Sequence, residues 1–261
     1  MVVALSRMPS VQSNPPRTVA LYTCCFGSYT GLKEVACRFD GCDYICFTDN
    51  PDLISKTWEV RVVECDVSSP ISASRHPKIL PHLYMPEYSA TLYVDANISV
   101  RVDPSLLADK YLDKAPFWVP KHPERKCLFA EAVECAVLRR GTKNALREEV
   151  ARYALAGTPK DFGLSENGVL LRAHNDDEVI KIMELWWLLF SKGSLRDQIS
   201  LPVAIWKSSK HFNYLDESVR DSGREFTLNP HEKTSTQSLL DRLLKKFDIV
   251  LRRIYFRFFG L

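Results

Sequence analysis

Short apolar, β-branched runs that end in polar residues are the feature that most limits how this chain can fold. The runs at 17–26, 43–50 and 57–65 each predict a strand, and the run at 91–100 is the strongest strand candidate. Helical patterns lie between these runs and dominate the second half of the chain. This order predicts an α/β fold with a mainly parallel central sheet flanked by helices.

Helix boundaries are clearest in the second half of the chain. Asp103 followed by Pro104 is typical of a helix start, because Asp caps backbone N–H groups and Pro suits the first helical position. Residues 128–157 predict a helical region that is interrupted near Gly141. The remaining predictions are a short helix or irregular crossing at 76–88, helices at 176–193 and 194–207, a strand at 166–175 and a loop at 217–237.

Polar residues stand where three of the predicted strands end. Thr23 to Tyr29 follow the first strand, Asp49 follows the second, and Asp95-x-Asn97 interrupts the strongest run. Residues two apart in an extended chain point to the same side, so Asp95 and Asn97 present two oxygens together. Such a pair suits a hard divalent cation or a ribose hydroxyl, although Asp and Asn are also common turn residues. Because ligands of parallel sheets bind at the carboxyl ends of strands, the sequence predicts a site at Asp95.

The length and composition suit one large α/β domain. The chain has 261 residues, of which 46% are hydrophobic and 26% charged. We expect a disordered leader at 1–16, one folded domain at 17–237 and a separate C-terminal helix at 238–261. No apolar run reaches the length of a membrane-spanning helix, and the first residues do not resemble a secretory signal.

Eight cysteines occur in the chain, and six of them precede residue 66. Cys42 and Cys46 have the spacing of half a zinc site, but no second Cys or His pair follows at a suitable distance. Cys24 and Cys46 lie in apolar, strand-like runs, where a thiol behaves as a small hydrophobic group. We therefore expect free thiols in a reducing compartment, which indicates a cytoplasmic location.

The C-terminal segment combines an apolar helical face with an excess of basic residues. It carries six basic and two acidic residues from 239 to 261, a net +4, so the rest of the chain carries −1 and the total is +3. No nucleic-acid partner is therefore expected for the main domain. Two interpretations are open: a basic amphipathic helix on an anionic membrane surface, or a terminal helix packed on the domain. The apolar positions are 240, 243, 244, 247, 250, 251, 254, 258 and 261.

Several long blocks between residues 18 and 207 carry a resemblance to a known family. The chain resembles a glycosyltransferase-like domain family that was first catalogued as a domain of unknown function and has plant members linked to cell-wall polysaccharides. The resemblance implies a nucleotide-sugar transferase fold of the GT-A type. The blocks are ALYTCCFGSYTGL, DYICFTDNPDL, TWEVRVVE, RHPKILPHLYMPEYSATLYVDANI, KHPERKCLFAEA, GLSENGVLLRAHN and WWLLFSKGSLRDQISLPV.

The resemblance implies a metal site at the predicted strand end. In GT-A enzymes an Asp-x-Asp motif holds Mn²⁺ or Mg²⁺, which neutralises the diphosphate leaving group. Asp95 and Asn97 match that motif, and Asn97 offers an oxygen without a charge. Metal affinity is then weaker, or Asn97 binds sugar or ribose instead. A late histidine often completes such sites, and we favour His231 over His211.

The resemblance also implies residues for the nucleotide-sugar. Thr23, Gly27 and Tyr29 after the first strand would hold base and ribose, with Tyr22 as an alternative to Tyr29 for stacking. The remaining implied contacts are Asp49 to base or ribose, and Arg75 and Lys78 to the diphosphate oxygens.

A carboxylate base is needed if the reaction inverts the sugar's configuration. Asp197 is our first candidate for that base and Glu131 the second, and Gln198 beside Asp197 would bind the donor. His122 and Arg125 are candidates for the acceptor side. Asp197 could instead serve only to satisfy N–H groups at a helix start.

The combined prediction is a metal-dependent glycosyltransferase. It would move a sugar from a UDP- or GDP-sugar to a glycan or lipid-linked acceptor, on the cytoplasmic face of a membrane. Two alternatives remain open: a nucleotidyltransferase, or a weakly active scaffold that binds nucleotide-sugars at the membrane.

Overall fold

The structure, a computed structural model, describes residues 18–27, 32–64, 69–220, 223–229 and 239–259, with backbone alone at 239–245 and 257–259. The predicted leader at 1–16 and the predicted site residues Tyr29 and His231 lie outside the described residues. The strands in the described part are β1 (Val19–Cys25), β2 (Cys42–Thr48), β3 (Glu59–Val62), β4 (Ala90–Val94), β5 (Ile98–Val100), β6 (Phe117–Trp118), β7 (Val169–Arg172) and β8 (Phe226–Leu228).

Six of these strands form the central sheet, in the order β3-β2-β1-β4-β7-β6. The first four run parallel to one another, which confirms the predicted parallel core of the sheet. β7 is antiparallel to both β4 and β6. The start of β7 therefore lies at the same edge of the sheet as the end of β4, where Asp95 N donates to Gly168 O at 2.8 Å.

The predicted strand at 91–100 is two strands separated by a tight turn. β4 ends at Val94, and Ile98 N donates to Asp95 O at 2.7 Å, which closes the turn at 95–97. β5 then leaves the central sheet and pairs with β8 in a second, two-stranded sheet. The loop prediction for 217–237 is wrong at β8, since pairing with β5 gives this short segment a partner for its backbone groups.

Helices cover the sheet and connect its strands. The helix prediction at 76–88 began too late, because Ser69 caps a helix that starts at Pro70 and includes Pro77. The Asp103 cap is confirmed, since its carboxylate accepts from Ser105 N at 2.8 Å. The break near Gly141 is also confirmed, and Gly141 has a φ of +99° there. The helices are α1 (Pro70–Ile79), α2 (Pro104–Leu112), α3 (Leu128–Val137), α4 (Lys143–Leu155), α5 (Asp177–Ser191), α6 (Asp197–Lys207) and α7 (Leu239–Phe259), with a 3-10 turn at Pro81–Leu83.

The core lies on both faces of the central sheet. On one face α1, α5 and α6 pack against β1 and β4, with Trp186 fully buried among them. On the other face α2 and the small sheet β5-β8 cover the same strands. A third cluster joins α3 and α4 to the outer side of α6. This arrangement brings the end of α1 and the start of α6 together at the carboxyl end of β4.

The last helix, α7, packs on α3 with its more polar side. Phe256 is buried in the contact, Arg252 Nη1 donates to Val137 O at 2.9 Å, and Arg253 pairs with Glu134 at 2.6 Å. The apolar side chains on the opposite side point away from the domain. They are Phe247, Val250, Leu251 and Ile254, between 49% and 63% exposed. Among the described helices none has the length and hydropathy to cross a membrane.

Candidate functional site

A cavity of about 890 Å³ opens at the carboxyl ends of β1 and β4. Such a position is where α/β sheets bind their ligands. Its lining includes three acidic and five basic side chains, an excess of positive charge that suits an anionic ligand. The acidic ones are Asp95, Glu166 and Asp197, and the basic ones are Arg75, Lys78, Arg140, Arg196 and Arg220.

A buried ion pair between α1 and α6 forms the floor of this cavity. Lys78 is 1% exposed, and its Nζ lies 2.8 Å from Asp197 Oδ2 and 3.4 Å from Asp95 Oδ1. Arg75, one helical turn earlier, places its Nε 3.2 Å from the same oxygen of Asp197. The pairing brings together residues that are 119 positions apart in the chain. It holds the ends of three elements, α1, β4 and α6, in one fixed arrangement.

The environment of Asp197 keeps its carboxylate ionised. Burial alone raises the pKa of this carboxyl, but the charges of Lys78 and Arg75 outweigh burial and hold the pKa well below its usual range. A carboxylate with so low a pKa is a poor base at neutral pH. Its position therefore favours a role in orienting Lys78 and the bound ligand over the predicted role as general base.

The ionised state of Asp197 predicts how stability depends on pH. Because the pKa is lower in the folded than in the unfolded chain, the pair stabilises the fold above about pH 4, the value of an unfolded Asp. That contribution is lost as pH falls toward the folded value. We expect Asp197→Asn to have a smaller free energy of unfolding at pH 7 and a flatter decline below about pH 5. Denaturant unfolding at several pH values measures this, with the exposed Asp177→Asn as control. Equal pH dependence in wild type and Asp197→Asn would exclude the pair as its source.

The turn between β4 and β5 presents Asp95 and Asn97 at the mouth of the cavity. Asp95 Oδ1 accepts from Tyr93 OH at 2.7 Å, and the side chain is 39% exposed. Asn97 Nδ2 donates to Asn229 O at 3.3 Å, while Asn229 N donates to Asn97 O at 2.8 Å. Gly168 lies against this turn, and a Cβ there would come within 3.3 Å of Asp95 Oδ2. Glycine therefore allows β7 to start close to the carboxylate.

The side chains at this turn fit a cation that also binds a phosphate group. Carboxylate and amide oxygens are the ligands that Mn²⁺ and Mg²⁺ accept, and Mg²⁺ in particular is often held by one or two carboxylates plus substrate phosphates. Within the described residues there is no group of three or more His, Cys, Asp or Glu that could hold a metal by itself. The predicted third ligand, His231, is outside the described residues. The alternative, His211, stacks on Phe162 at 5.8 Å and is not among the residues that line the cavity.

A second cavity of about 340 Å³ lies on the other side of the same turn. The two cavities share Ala96, Ile98 and Asn229 in their walls. Thr23, predicted to contact the nucleotide, lines this second cavity rather than the first. Its hydroxyl is buried and has no hydrogen-bond partner among the described residues. Apolar groups make up much of the remaining wall, including Trp58.

The residues that follow β1 and β2 are hydrogen-bonded to each other. Gly27 N donates to both oxygens of Asp49, at 2.9 and 3.0 Å, so this carboxylate fixes the backbone that leaves β1. Gly27 has a φ of +68°, and a Cβ would lie 3.1 Å from Pro70. Tyr22 is wholly buried and donates to Lys78 O at 3.0 Å. Tyr22 therefore cannot stack on a base, which leaves Tyr29 as the predicted stacking residue.

The structure does not bring Glu131, His122 and Arg125 into either cavity. Glu131 is buried on α3 and accepts from Arg125 Nε at 2.6 Å. His122 accepts on Nδ1 from the backbone N of Arg125 at 3.0 Å, and burial followed by the charge of Arg125 lowers its pKa. These contacts indicate a structural cluster that secures the start of α3. Gln198 does line the larger cavity, and its Nε2 donates to Ser165 O at 3.1 Å.

Several cavity residues were missed by the sequence analysis. Glu166 lies just before β7, is 7% exposed, and pairs with Arg220 at 2.5 Å. Asn167 follows it and accepts from Ser165 Oγ at 2.6 Å. The polar Glu-Asn-Gly sequence in front of an apolar strand was the available signal. It was overlooked because a parallel β7 would have placed these residues at the opposite edge of the sheet.

Comparison with protein families identifies a match over most of this architecture. The profile described as "TOD1/MUCI70, glycosyltransferase-like domain" matches residues 48–222. The chain belongs to this family. The match confirms the resemblance inferred from the sequence. It assigns a glycosyltransferase-like domain to residues 48–222. It includes Lys78, Asp95 and Asp197 and begins after β1. A comparison with curated proteins gave no match.

Proposed function

We propose that this TOD1/MUCI70 chain is a metal-dependent glycosyltransferase of the GT-A type that uses a UDP- or GDP-sugar. The observation that carries the proposal is the meeting of two cavities at the Asp95–Asn97 turn, with the buried Lys78–Asp197 pair on one side. A nucleotide-sugar has a base, a diphosphate and a sugar in line. The two cavities and the turn between them offer one place for each part.

The smaller cavity suits the nucleobase. Its apolar walls and the indole of Trp58 favour a planar group, and the Thr23 hydroxyl, which has no partner among the described residues, would give one hydrogen bond. The volume of about 340 Å³ is of the size expected for a small-molecule pocket. The base would therefore lie between β1 and the small sheet formed by β5 and β8.

The diphosphate would lie across the turn, where Mn²⁺ or Mg²⁺ bound by Asp95 and Asn97 would neutralise the leaving group. Arg75 and Lys78 add positive charge next to this position. The sugar would then enter the larger cavity near Asp197 and Gln198. In this arrangement Asp197 orients Lys78, and the acceptor approaches from the remaining space of the larger cavity.

A panel of nucleotide-sugars tests the proposed activity. We expect slow, Mn²⁺-dependent hydrolysis of one UDP- or GDP-sugar, with release of the nucleoside diphosphate, and faster turnover when an acceptor is supplied. Release of pyrophosphate from a nucleoside triphosphate and a sugar 1-phosphate, supplied in place of the nucleotide-sugar, would instead identify a nucleotidyltransferase. Binding without turnover would identify a scaffold. This alternative is tested because Asn97, unlike an aspartate, brings no charge to the metal site. Absence of binding for every donor would contradict the proposal.

Attachment to the cytoplasmic face of a membrane is proposed through α7. Phe247, Val250, Leu251 and Ile254 form an exposed apolar face that points away from the domain. A face of this kind inserts into the interfacial region of a bilayer. The sequence left open a basic amphipathic helix on an anionic membrane or a terminal helix packed on the domain, and in the structure Arg252 and Arg253 bind α3. The apolar face is therefore expected to supply most of the membrane affinity.

A liposome assay tests this attachment. We expect the full chain to pellet with vesicles that contain anionic lipid, and Leu251→Ser with Ile254→Ser to lower the bound fraction at least about tenfold. Leu155→Ser is a matched control, since Leu155 is 89% exposed on another helix. Equal pelleting of the doubly substituted chain, or no pelleting of the full chain, would exclude α7 as the attachment site.

A further inference from the structure

We infer that Arg140 and Arg196 form an anion-binding subsite for the acceptor, so that the acceptor carries a phosphate or carboxylate group. The assignment of this subsite to the acceptor rests on the proposed function. The two arginines come from different elements, the turn after α3 and the residue that precedes α6. Both line the larger cavity.

The backbone segments that carry the two arginines lie next to each other. A Cβ on Gly141 would lie 3.5 Å from Ser194 O and 3.9 Å from Arg196 Cγ, so the turn after α3 rests directly on the segment that leads into α6. Glu149 fastens that segment from behind, because it accepts from Ser194 N at 2.8 Å. Gly193 leaves no room for a side chain against the same carboxylate. Arg196 is therefore presented from a rigid support.

In the described part of the chain the other cationic side chains of the cavity form salt bridges, whereas Arg140 and Arg196 form none, although the charge of Arg196 helps to lower the pKa of Asp197. Lys78 and Arg75 pair with Asp197, and Arg220 pairs with Glu166. Among the described residues no carboxylate forms a salt bridge with Arg140 or Arg196. Nε of Arg196 is buried and has no hydrogen-bond partner in the described part of the chain. Arg196 is half-buried and Arg140 is exposed, so the burial cost falls on Arg196 Nε, and an anion bound in the cavity would give that group a partner.

The position of Arg140 and Arg196 relative to the proposed donor is the reason for assigning the bound anion to the acceptor. Contacts run from Asp95 through Lys78 to Asp197, and Arg196 comes immediately before Asp197. The diphosphate is proposed at the Asp95 end of this series and the sugar near Asp197. The two arginines would therefore lie next to the sugar, on the side of the acceptor.

The same turn also touches the proposed membrane helix. Arg139, next to Arg140, lies 3.7 Å from Asp248 of α7. A phosphate on a lipid-linked acceptor would reach Arg140 from the bilayer surface, and a carboxylate on an acidic glycan would reach it from solution. Both sources supply the same chemistry, two or three oxygens that share a negative charge and accept bidentate hydrogen bonds from arginine.

Binding of matched charged and neutral probes to the full chain tests the inference. The probes are farnesyl phosphate with farnesol, and C6-oxidised cellotriose with cellotriose, each titrated by calorimetry with UDP and Mn²⁺ present. We expect one charged probe to bind at least about tenfold more tightly than its neutral partner, and Arg140→Gln and Arg196→Gln each to remove that advantage. Arg147→Gln, an exposed change of the same charge on α4, should leave it intact. The charged probe that binds identifies the source.

Three results would overturn the inference. Equal binding of charged and neutral probes would do so, as would charged binding that survives both substitutions. A larger loss of UDP affinity than of probe affinity in the variants would assign the arginines to the donor. If wild type binds a charged probe through these arginines but binds neither UDP nor GDP with Mn²⁺, the subsite stands and the proposed transferase reaction fails.

Discussion

Replacing Lys78 by methionine should lower the free energy of unfolding by about 3–5 kcal/mol and reduce turnover about 100-fold or more. The lysine is almost completely buried and touches both Asp197 and Asp95. Methionine fills a similar volume, so the loss is one of charge rather than of packing. Asp197, whose side chain is 7% exposed, would keep Arg75 as its remaining salt-bridge partner. Urea unfolding and nucleotide-sugar hydrolysis measure the two effects.

Two further variants separate the ion pair from general effects of the substitution. Lys181→Met removes an exposed lysine from α5 and should change neither quantity. Adding Asp197→Leu to Lys78→Met removes the uncompensated carboxylate as well, so we expect much of the stability to return while activity stays low. A Lys78→Met protein as stable and as active as wild type would show that the pair has no role.

Replacing Asp95 by alanine should weaken UDP binding in the presence of Mn²⁺ by about 100-fold or more while leaving the fold intact. The side chain is 39% exposed, and Lys78 retains Asp197 when it is removed. We therefore expect the free energy of unfolding to change by less than about 1 kcal/mol. Calorimetric titration of UDP with Mn²⁺, and with EDTA instead, gives the metal-dependent part of the affinity.

Asn97→Asp is the matched substitution at the other side of the turn. It adds a second charged oxygen ligand, so Mn²⁺ should bind about tenfold more tightly if both residues contact the metal. The change also replaces the group that donates to Asn229 O, which thermal unfolding would detect as a loss of stability. Metal-dependent UDP binding that is unaffected by Asp95→Ala would rule out this turn as the metal site.

The elements that the sequence predicted best are those with strong local signals. The parallel strands β1, β2 and β4, the Asp103 cap and the break near Gly141 all follow from residue patterns over a few positions. β8 was missed because its three residues gain their strand conformation from pairing with β5. The antiparallel direction of β7 also has no local signal, since an apolar run predicts a buried strand but not whether that strand is parallel or antiparallel to its neighbours.

The sequence predicted several individual residues of the candidate site but not the contacts between them. Asp95, Lys78 and Asp197 were each identified, yet their contacts depend on the end of α1 meeting the start of α6, and these two segments are far apart in sequence. The arginines at 140 and 196 were missed because each is an ordinary surface-like charge in its own segment. The contact of Gly141 with the segment before α6 shows that the two segments are neighbours, and both arginines line the same cavity.

The C-terminal helix illustrates a different limit. The periodicity of its apolar residues indicates two distinct faces but not which of them packs on the domain. Glu134 and the carbonyl of Val137 on α3 attract Arg252 and Arg253, so the basic side packs inward. This choice depends on the polar groups of α3, which the pattern of α7 alone cannot reveal.

The most direct test of the account is a crystal structure of the full chain grown with MnCl₂ and UDP, with anomalous scattering recorded for manganese. The account predicts one manganese peak within about 2.5 Å of oxygens from Asp95 and Asn97, bridged to the diphosphate, with uracil against Trp58. A manganese-free turn with UDP bound elsewhere, or a metal held by other residues, would contradict it.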